Sequence, residues 1–327
     1  MDKKQITIII LFARFVFGVV ANPNPLTLNQ PDGSEFTAFI RGDEWIHWME
    51  NEDGFTIAKD DSNEWRFVSG IDGDGFILSD IPAHQNSPPK DISKHIIPVG
   101  SKPNFPAEPH FPDISTRTSG VYPMLLVEYP DLLASYPPSA LDSLMNQIGF
   151  ISSQGPTGSF RDYYREISYG EFDPVTVISG WYQAQNSYLT YGSDAPNGWQ
   201  NVRQMIGQAI DNAEADGVDW SEYDNDNDGY VDALNIVHAG LGAEEGNGNY
   251  IWSHRSFLGN QARYYDGVWI DSYIVNPELQ GSTGIPGLVF RGVICHEFGH
   301  ALGLPDLYDT DYSSSGIGHW GLMSGGS

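Results

Sequence analysis

Two histidines, a glutamate and an aspartate near the end of the chain have spacings suited to binding a metal ion. Residues 296–306 read His-Glu-Phe-Gly-His-Ala-Leu-Gly-Leu-Pro-Asp, an H-E-x-x-H-x-x-G-x-x-D pattern. On a helix, His296 and His300 are four residues apart and project from one face, so both imidazoles can bind one Zn²⁺. Glu297 is one residue further round the helix, where it can act on a water held by the metal.

The residues after the second histidine supply a third ligand. Gly303 is predicted to end the helix in a left-handed backbone conformation, which is unfavourable for residues with a Cβ. The chain can then turn and bring Asp306 back to the metal. Asp309 is a competing candidate because it also follows Gly303 closely, but the spacing favours Asp306. Three protein ligands and an open fourth position are typical of a catalytic zinc site. The alternative is a helix with two incidental histidines and a glycine cap, which the full pattern disfavours.

A methionine follows the zinc motif within a turn rich in glycine and serine. Residues 316–327 read Gly-Ile-Gly-His-Trp-Gly-Leu-Met-Ser-Gly-Gly-Ser. Met323 is our candidate for a Met-turn, in which the side chain forms a hydrophobic floor beneath the metal. The alternative is a buried methionine that fills a gap in a loop. Its place after the extended zinc motif favours the Met-turn.

Together these groups predict hydrolysis of peptide bonds in proteins or peptides. Bound zinc would lower the pKa of its water towards about 7. Glu297 would accept the proton as the water attacks the scissile carbonyl, and would then deliver it to the leaving amine. The metal would also stabilise the oxyanion.

A second group of acidic residues predicts a structural calcium site. Residues 224–232 have the pattern D-x-D-x-D-G-x-x-D, the first part of an EF-hand loop. The expected ligands are side-chain oxygens of three aspartates, one main-chain carbonyl, and a further carboxylate acting directly or through water: Asp224, Asp226, Asp228, Tyr230 and Asp232. The twelfth position is Asn235 where a bidentate glutamate is usual, so we expect altered geometry. The alternative is a solvated Asp/Asn turn.

The chain resembles the immune inhibitor A-like secreted metallopeptidases of the metzincin clan. The resemblance rests on the motifs at 296–309 and 318–327, and on residues 158–170, which read Gly-Ser-Phe-Arg-Asp-Tyr-Tyr-Arg-Glu-Ile-Ser-Tyr-Gly. It implies a secreted zinc endopeptidase made with a prosegment. Some metzincins have a tyrosine two residues after the methionine, and this chain has Gly325 there. Metzincin domains usually continue into a C-terminal helix, so a truncated C-terminus is one interpretation.

Helices and strands alternate around these motifs. Strands are predicted at 122–129, 172–178, 230–238 and 268–275, and helices at 159–168, 199–215 and 287–303. In the first of these predicted helices, 159–168, Ser159 is the predicted N-cap. The predicted fold class is α/β (α+β), a zincin/metzincin-like catalytic domain with a mixed sheet, an active-site helix and a Met-turn, preceded by a small β-rich prosegment.

The first third of the chain predicts a leader and a prosegment. Residues 1–21 are typical of a signal peptide, although Arg14 interrupts the apolar run. Residues 22–116 are interpreted as a prosegment that ends in a proline-rich linker and is removed near Arg117 or Ser119, leaving 117–327 as the catalytic domain. Its short strands are predicted at 36–40, 46–49, 56–58 and 65–68. The alternative is a permanent N-terminal domain.

The prosegment has no cysteine, which excludes a cysteine switch. An aspartate, glutamate or histidine would then have to block the metal, and the sequence offers too many to choose one. Cys295 is the single cysteine, so no intrachain disulfide can form, and its apolar neighbours predict a buried, inert thiol.

The composition is strongly acidic, with a formal net charge of −27 over 327 residues. Such a surface disfavours binding to nucleic acid and to anionic membranes. Apart from the N-terminal segment, no apolar run is long enough to span a membrane, so we expect no stable membrane association. The signal peptide and the family resemblance predict a secreted protein, and the oligomeric state is open. Two rival functions are a catalytically inactive, metal-containing binding or adhesion module and a calcium-dependent carbohydrate-binding protein. The intact Glu297 and the full motif favour the peptidase.

Overall fold

The computed structural model describes residues 17–73, 75–85, 90–99, 119–151, 157–281, 287–289, 291–309, 314 and 316–326, with residues 17 and 18 described as backbone only. Three predictions lie wholly or partly outside these residues. They concern the signal peptide up to residue 16, most of the proline-rich linker, and cleavage at Arg117.

The first part of the chain forms a small antiparallel sheet. The described residues of this part contain the strands Phe17–Gly18 (β1), Leu26–Asn29 (β2), Glu35–Gly42 (β3), His47–Asn51 (β4), Thr56–Lys59 (β5), Trp65–Asp72 (β6) and Gly75–Pro82 (β7), of which the last six form the small sheet. Strands β2 to β7 pair in chain order, and β1 belongs to another sheet. The four predicted strands are confirmed as β3 to β6, while β2 and β7 were not predicted. Ala38, Ile57 and Phe67 form the buried centre of this N-terminal module.

The second part of the chain is built on a mixed sheet. Its strands are Ser119–Glu128 (β8), Asp173–Gln183 (β9), Leu234–Leu241 (β10), His254–Phe257 (β11), Arg263–Tyr265 (β12), Val268–Ile270 (β13), Ser272–Gln280 (β14) and Gly287–Leu288 (β15). The order is β1-β11-β14-β10-β8-β9, with β15 also on β14. Strands β14, β10, β8 and β9 run parallel, whereas β1, β11 and β15 are antiparallel to their neighbours. Strands β12 and β13 form a separate hairpin.

Helices cover both faces of this sheet. They are Pro138–Asn146 (α1), Phe160–Ile167 (α2), Gly198–Ala215 (α3) and Arg291–Ala301 (α4). Helix α3 packs into a hydrophobic core on one face, and α1, α2 and α4 share a second core on the other. Two faces can be covered because the parallel strands are apolar on both sides: Leu125 of β8 lies in the first core and Met124 in the second. The mixed α/β class is therefore as predicted.

Two helices follow their sequence signals closely. The Ser159 hydroxyl accepts a hydrogen bond from the Asp162 amide, and the Asp162 carboxylate accepts one from the Ser159 amide, which completes a capping box. The predicted N-cap of α2 is thus confirmed. Helix α3 buries its predicted face, Val202, Met205, Ile206, Ala209 and Ile210.

Three predicted boundaries are wrong. The strand predicted at 230–238 begins only at Leu234, because Ala233 has a φ of 48° and breaks the extended path. The strand predicted at 268–275 is two strands, since Asp271 between them leaves the ladder and accepts hydrogen bonds from Leu258 and Gly259. The helix predicted at 287–303 is shorter, because residues 287 and 288 pair with β14.

Aromatic packing holds α4 in place. The rings of Tyr122 and Phe160 each lie with their centroids 4.9 Å from that of Phe298, edge to face. The Tyr164 hydroxyl donates a 2.8 Å hydrogen bond to the carbonyl of Cys295. Cys295 is buried, as predicted, and burial raises the pKa of its thiol. Helix α2 therefore supports the helix that carries the zinc motif.

The N-terminal module contacts the second part of the chain directly. Strand β1 pairs with β11 and forms the edge of the mixed sheet, and the Val19 carbonyl accepts a 2.7 Å hydrogen bond from the Trp252 indole. Leu26 and Ile40 share a small hydrophobic core with Trp252. Among the described residues, no helix has the length and apolar character needed to cross a bilayer.

Candidate active site

Helix α4 and the loop after it bring the three predicted zinc ligands together. The Nε2 atoms of His296 and His300 are 3.0 Å apart. The Oδ1 atom of Asp306 is 3.3 Å from each of them. Both histidines are buried and Asp306 is nearly so. Three ligand atoms from two segments therefore face one point.

Main-chain carbonyls orient both imidazoles. Nδ1 of His296 is 2.7 Å from the carbonyl oxygen of Leu322, and Nδ1 of His300 is 2.8 Å from that of Leu304. A carbonyl can only accept, so each Nδ1 must be the protonated, donating nitrogen. In the neutral rings, both Nε2 atoms then present lone pairs to the shared point.

The donor set fits zinc in both chemistry and spacing. Two imidazole nitrogens and one carboxylate oxygen are a ligand set of catalytic zinc sites. Atoms about 2.0–2.2 Å from a tetrahedral centre lie about 3.3–3.6 Å from one another. The three observed separations are close to this range. A cation at the shared point would also relieve the close approach of the two Nε2 lone pairs.

Electrostatics at these ligands favour forms that can bind a metal. Burial lowers the pKa of His300 to about 4, so its imidazole is neutral near pH 7. Burial by itself would raise the pKa of Asp306, but its contacts with His296 and His300 outweigh this and lower it. A neutral imidazole and an ionised carboxylate are the metal-binding states of these side chains.

The turn at Gly303 is what returns Asp306 to the helix. Gly303 has a φ of 87°, in the region that favours glycine, and its amide donates to the carbonyl of His300. The next amide, of Leu304, donates to the carbonyl of Gly299. Of the two aspartates considered from the sequence, the described residues place Asp306 in the metal-binding group, and Asp309 outside it.

Met323 packs against helix α4. It is buried, and a Cβ added to Gly299 would come within 2.6 Å of its sulfur atom. Its carbonyl accepts a hydrogen bond of 2.6 Å from the amide of Leu307, next to Asp306. Met323 therefore contacts both segments that carry the predicted ligands, and its role as a Met-turn stays a prediction.

Glu297 is fully buried beside the metal-binding group. Neither of its carboxylate oxygens has a hydrogen-bond partner among the described residues. Burial is the main cause that raises its pKa, and the charges of Asp306 and Glu244 raise it further, whereas Arg255 opposes them. A carboxylate with a raised pKa and no protein partner is suited to taking up a proton.

Glu44, from the turn between β3 and β4, was not singled out from the sequence. Its side chain is buried, and the charges of Asp306 and Glu297 contribute to raising the pKa of its carboxyl. No local pattern could have revealed it, because the turn reaches the site only through the docking of the N-terminal module.

The predicted calcium ligands are partly brought together. Asp224, Asp226 and Asp228 offer oxygen atoms that all lie within 4.8 Å of one another. The Oδ2 atom of Asp232 instead accepts a 2.9 Å hydrogen bond from the Asn225 amide, which closes the loop. Tyr230 forms a β-bridge with Trp269, as the loop joins the hairpin beside it.

This chain is similar to known metallopeptidases. Residues 142–327 match the catalytic domain of the immune inhibitor A peptidase M6 family. The protein called immune inhibitor A from Bacillus thuringiensis subsp. alesti is 35% identical over 203 residues, which cover 51% of this chain and 28% of that protein. The pre-pro-metalloprotease PrtV of Vibrio cholerae serotype O1 (strain M66-2) is 30% identical over 274 residues, covering 66% of this chain and 28% of that protein.

The chain thus spans just over a quarter of the length of these relatives. The family match itself extends over more than half of the chain and includes the zinc motif, the loop to Asp306 and Met323. On this basis, the chain belongs to the immune inhibitor A peptidase M6 family.

Proposed function

We propose that this chain contains the catalytic domain of a secreted zinc-dependent endopeptidase, made as a precursor. The observation that carries the proposal is the convergence of His296, His300 and Asp306 at tetrahedral spacing, with Glu297 buried beside them. Three protein ligands would leave the fourth coordination position of a tetrahedral zinc ion to a water or a substrate. Protein or peptide chains are the proposed substrates.

Different residues of the chain have different roles in the proposed reaction. When bound, zinc supplies Lewis acidity and lowers the pKa of water. His296, His300 and Asp306 would hold the ion, while the carbonyls of Leu322 and Leu304 keep the rings in the required tautomer. Glu297 would take a proton from the attacking water on its carboxylate and pass it to the leaving amine.

Strand β11, which lies between β1 and β14, is the proposed platform for an extended substrate. Its pairing with β1 is antiparallel, with Phe17 opposite Arg255 and Gly18 opposite His254. Residues 17 and 18 belong to the predicted signal peptide, so cleavage at Ala21 would remove β1 and leave β11 as the edge of the sheet. A substrate chain could then add to the sheet in the same way.

Two further parts of the proposal are latency and calcium. The N-terminal module packs against the catalytic part beside the site, which supports its assignment as a prosegment. The grouping of Asp224, Asp226 and Asp228 supports a structural calcium site, because closely packed carboxylates repel one another without a cation.

Cleavage of casein by the matured protein tests the proposal. We expect chelation to abolish cleavage and added zinc to restore it. Glu297→Gln should lower kcat by about 10²–10⁴-fold or more while zinc stays bound, because the base is lost and the ligands are kept. Glu166→Gln, at an exposed position on α2, is the matched control and should keep full activity.

Two results would contradict the peptidase. One is full activity of Glu297→Gln. The other is a folded, matured and zinc-loaded protein that does not cleave casein, which would favour the inactive metal-containing binding or adhesion module.

A further inference from the structure

Asn22, the residue that follows the predicted signal peptide, is held by two neighbouring glutamates of the second part of the chain. Its main-chain amide donates a 2.9 Å hydrogen bond to the carbonyl of Glu244. Its side-chain amide donates a 2.8 Å hydrogen bond to the carboxylate of Glu245, which lies 223 positions further along the chain. Both nitrogen atoms of Asn22 therefore contact one short segment.

The side chain of Asn22 is itself held in a defined direction. Its Oδ1 atom accepts a 3.0 Å hydrogen bond from the amide of Asn24, which forms an Asx turn. The other end of the amide, Nδ2, then points to Glu245. Because the α-nitrogen and Nδ2 belong to the same residue, the α-nitrogen of Asn22 lies within about one side-chain length of the Glu245 carboxylate.

The chain after Asn22 has contacts of its own with the same segment. Leu26, at the start of β2, shares a small hydrophobic core with Ala243 and Trp252. Gly246 permits this close approach, because a Cβ added to it would come within 2.2 Å of a methyl carbon of Leu26. These contacts begin after residue 21, so the removal of residues 1–21 leaves them in place.

Glu244 and Glu245 lack a positively charged partner among the described residues. The two residues are only 5% and 7% exposed. The hydroxyl and amide of Ser253 donate to the carboxyl of Glu244, the side chain of Asn22 donates to that of Glu245, and all of these donors are neutral. A carboxylate that is nearly buried is stabilised more by a charged donor than by a neutral one.

We propose that removal of the signal peptide supplies this charge, and that the new α-ammonium group of Asn22 binds the Glu244 carbonyl and the Glu245 carboxylate. Hydrolysis of the Ala21–Asn22 bond consumes one water molecule and gives a carboxylate on Ala21 and an amino group on Asn22. An α-amino group has an ordinary pKa of about 7.7–8.0, so it is mostly protonated at pH 7. It then has three N–H donors where the peptide had one, which suffices for both acceptors.

This ion pair replaces contacts that leave with residues 1–21. In the uncut chain, the Ala21 amide donates to the Gly42 carbonyl, and the Val19 carbonyl accepts from the Trp252 indole. The inference rests on the proposed function, because it requires a secreted precursor. In that precursor, the charged end at Asn22 fixes the beginning of the N-terminal module on the second part of the chain.

The direct test is the mass and the X-ray structure of the unmodified secreted precursor. We expect the chain to begin at Asn22, with its α-nitrogen about 2.7–2.9 Å from an oxygen of the Glu245 carboxylate, which is the length of a charge-assisted hydrogen bond. A chain that begins at another residue would overturn the proposal, and so would an α-nitrogen that contacts only solvent. This measurement does not depend on the folding of any variant.

A second test introduces Glu245→Gln into two forms of the precursor, one that begins at Asn22 and one that begins at Ala21. The additional residue makes the Asn22 nitrogen a neutral amide again, so the second form is the matched control. We expect Glu245→Gln to lower Tm by about 3 °C or more beyond its effect in the form that begins at Ala21. Glu52→Gln, at an exposed position of the N-terminal module, should change Tm equally in both forms.

The outcomes separate this inference from the proposed function. An equal decrease in Tm on Glu245→Gln in both forms would overturn the ion pair at Asn22. It would leave the peptidase unaffected, because zinc binding and casein cleavage are measured on the matured protein, which no longer contains Asn22.

Discussion

The Nδ1 atom of His296 and the carbonyl oxygen of Leu322 are 2.7 Å apart, across 26 positions of the sequence. This hydrogen bond fixes the first histidine of the zinc motif to the residue just before Met323. The active-site helix and the glycine-rich turn therefore act as one unit, in which the turn sets the orientation of the ring and its methionine supports the helix.

Gly299→Ala should disturb this unit. The new Cβ would lie 2.6 Å from the sulfur of Met323, in a buried place. We expect the free energy of unfolding to fall by roughly 1–3 kcal/mol, which is typical of overpacking, and zinc affinity to fall with it. Thermal denaturation and a zinc titration measure the two effects.

A double-mutant cycle with Met323→Ala provides the control. Replacing the methionine by alanine makes room for the added methyl group. Gly299→Ala should therefore lower the free energy of unfolding by less in the Met323→Ala background than in the unmodified protein. An equal decrease in the free energy of unfolding in both backgrounds would show that there is no steric conflict between residue 299 and Met323.

Asp306→Asn should weaken zinc binding much more than Asp309→Asn. The carboxylate of Asp306 is 3.3 Å from both histidine Nε2 atoms, and a neutral amide is a poorer zinc ligand than a carboxylate. We expect a loss of at least about 10-fold for Asp306→Asn, by analogy with losses at metal-supporting positions. A competitive zinc titration checks this, and a larger loss for Asp309→Asn would assign the third ligand to Asp309.

Glu244 should make the protein less stable as the pH rises. Its carboxyl is buried, which raises its pKa to about 7, although it accepts hydrogen bonds from the hydroxyl and amide of Ser253 at 2.5 and 3.1 Å. The folded state keeps this proton where the unfolded state has lost it. The contribution of the protonated Glu244 carboxyl to the free energy of unfolding is therefore complete below about pH 4.5, and it is lost as the pH rises through about 7.

The size of this loss is on the order of 3 kcal/mol between pH 4.5 and 8, since one unit of pKa corresponds to about 1.4 kcal/mol. Glu244→Gln should remove it, because the amide cannot ionise. Urea denaturation at several pH values measures the effect, with Glu222→Gln, at an exposed position, as the control. Parallel pH profiles for the unmodified protein and Glu244→Gln would contradict the prediction.

Calcium should stabilise the protein through Asp224, Asp226 and Asp228. With calcium about 100-fold above its Kd, we expect Tm to rise by about 5–10 °C. Asp228→Asn should reduce this rise, because it removes one negative charge from the group. Asp61→Asn, in an exposed turn of the N-terminal module, should respond to calcium as the unmodified protein does. No shift in the unmodified protein would identify the loop as a solvated turn.

Much of the local structure could be predicted because its causes lie within a few residues. The spacing of His296 and His300 places both rings on one side of a helix, and Gly303 allows the turn that follows. The same holds for the cap at Ser159 and for the buried face of α3. Such features depend on helical geometry and on backbone conformation, which neighbouring residues largely determine.

Strand boundaries were less predictable. Ala233 and Asp271 both interrupt sequences with the composition of strands. Ala233 has a positive φ, which is unusual for alanine, and Asp271 accepts a hydrogen bond from the amide of Gly259. Hydrophobic patterns cannot indicate where a ladder of hydrogen bonds begins.

The sequence by itself determined the types of the metal-binding and catalytic groups and their order along two short segments. Only the tertiary structure placed the Leu322 carbonyl on His296, packed Met323 against Gly299, and brought Asn22 to Glu245 across 223 positions of the sequence. The physical reason is that these contacts join distant segments. They depend on how the sheets and helices pack, and no spacing rule within one segment encodes that.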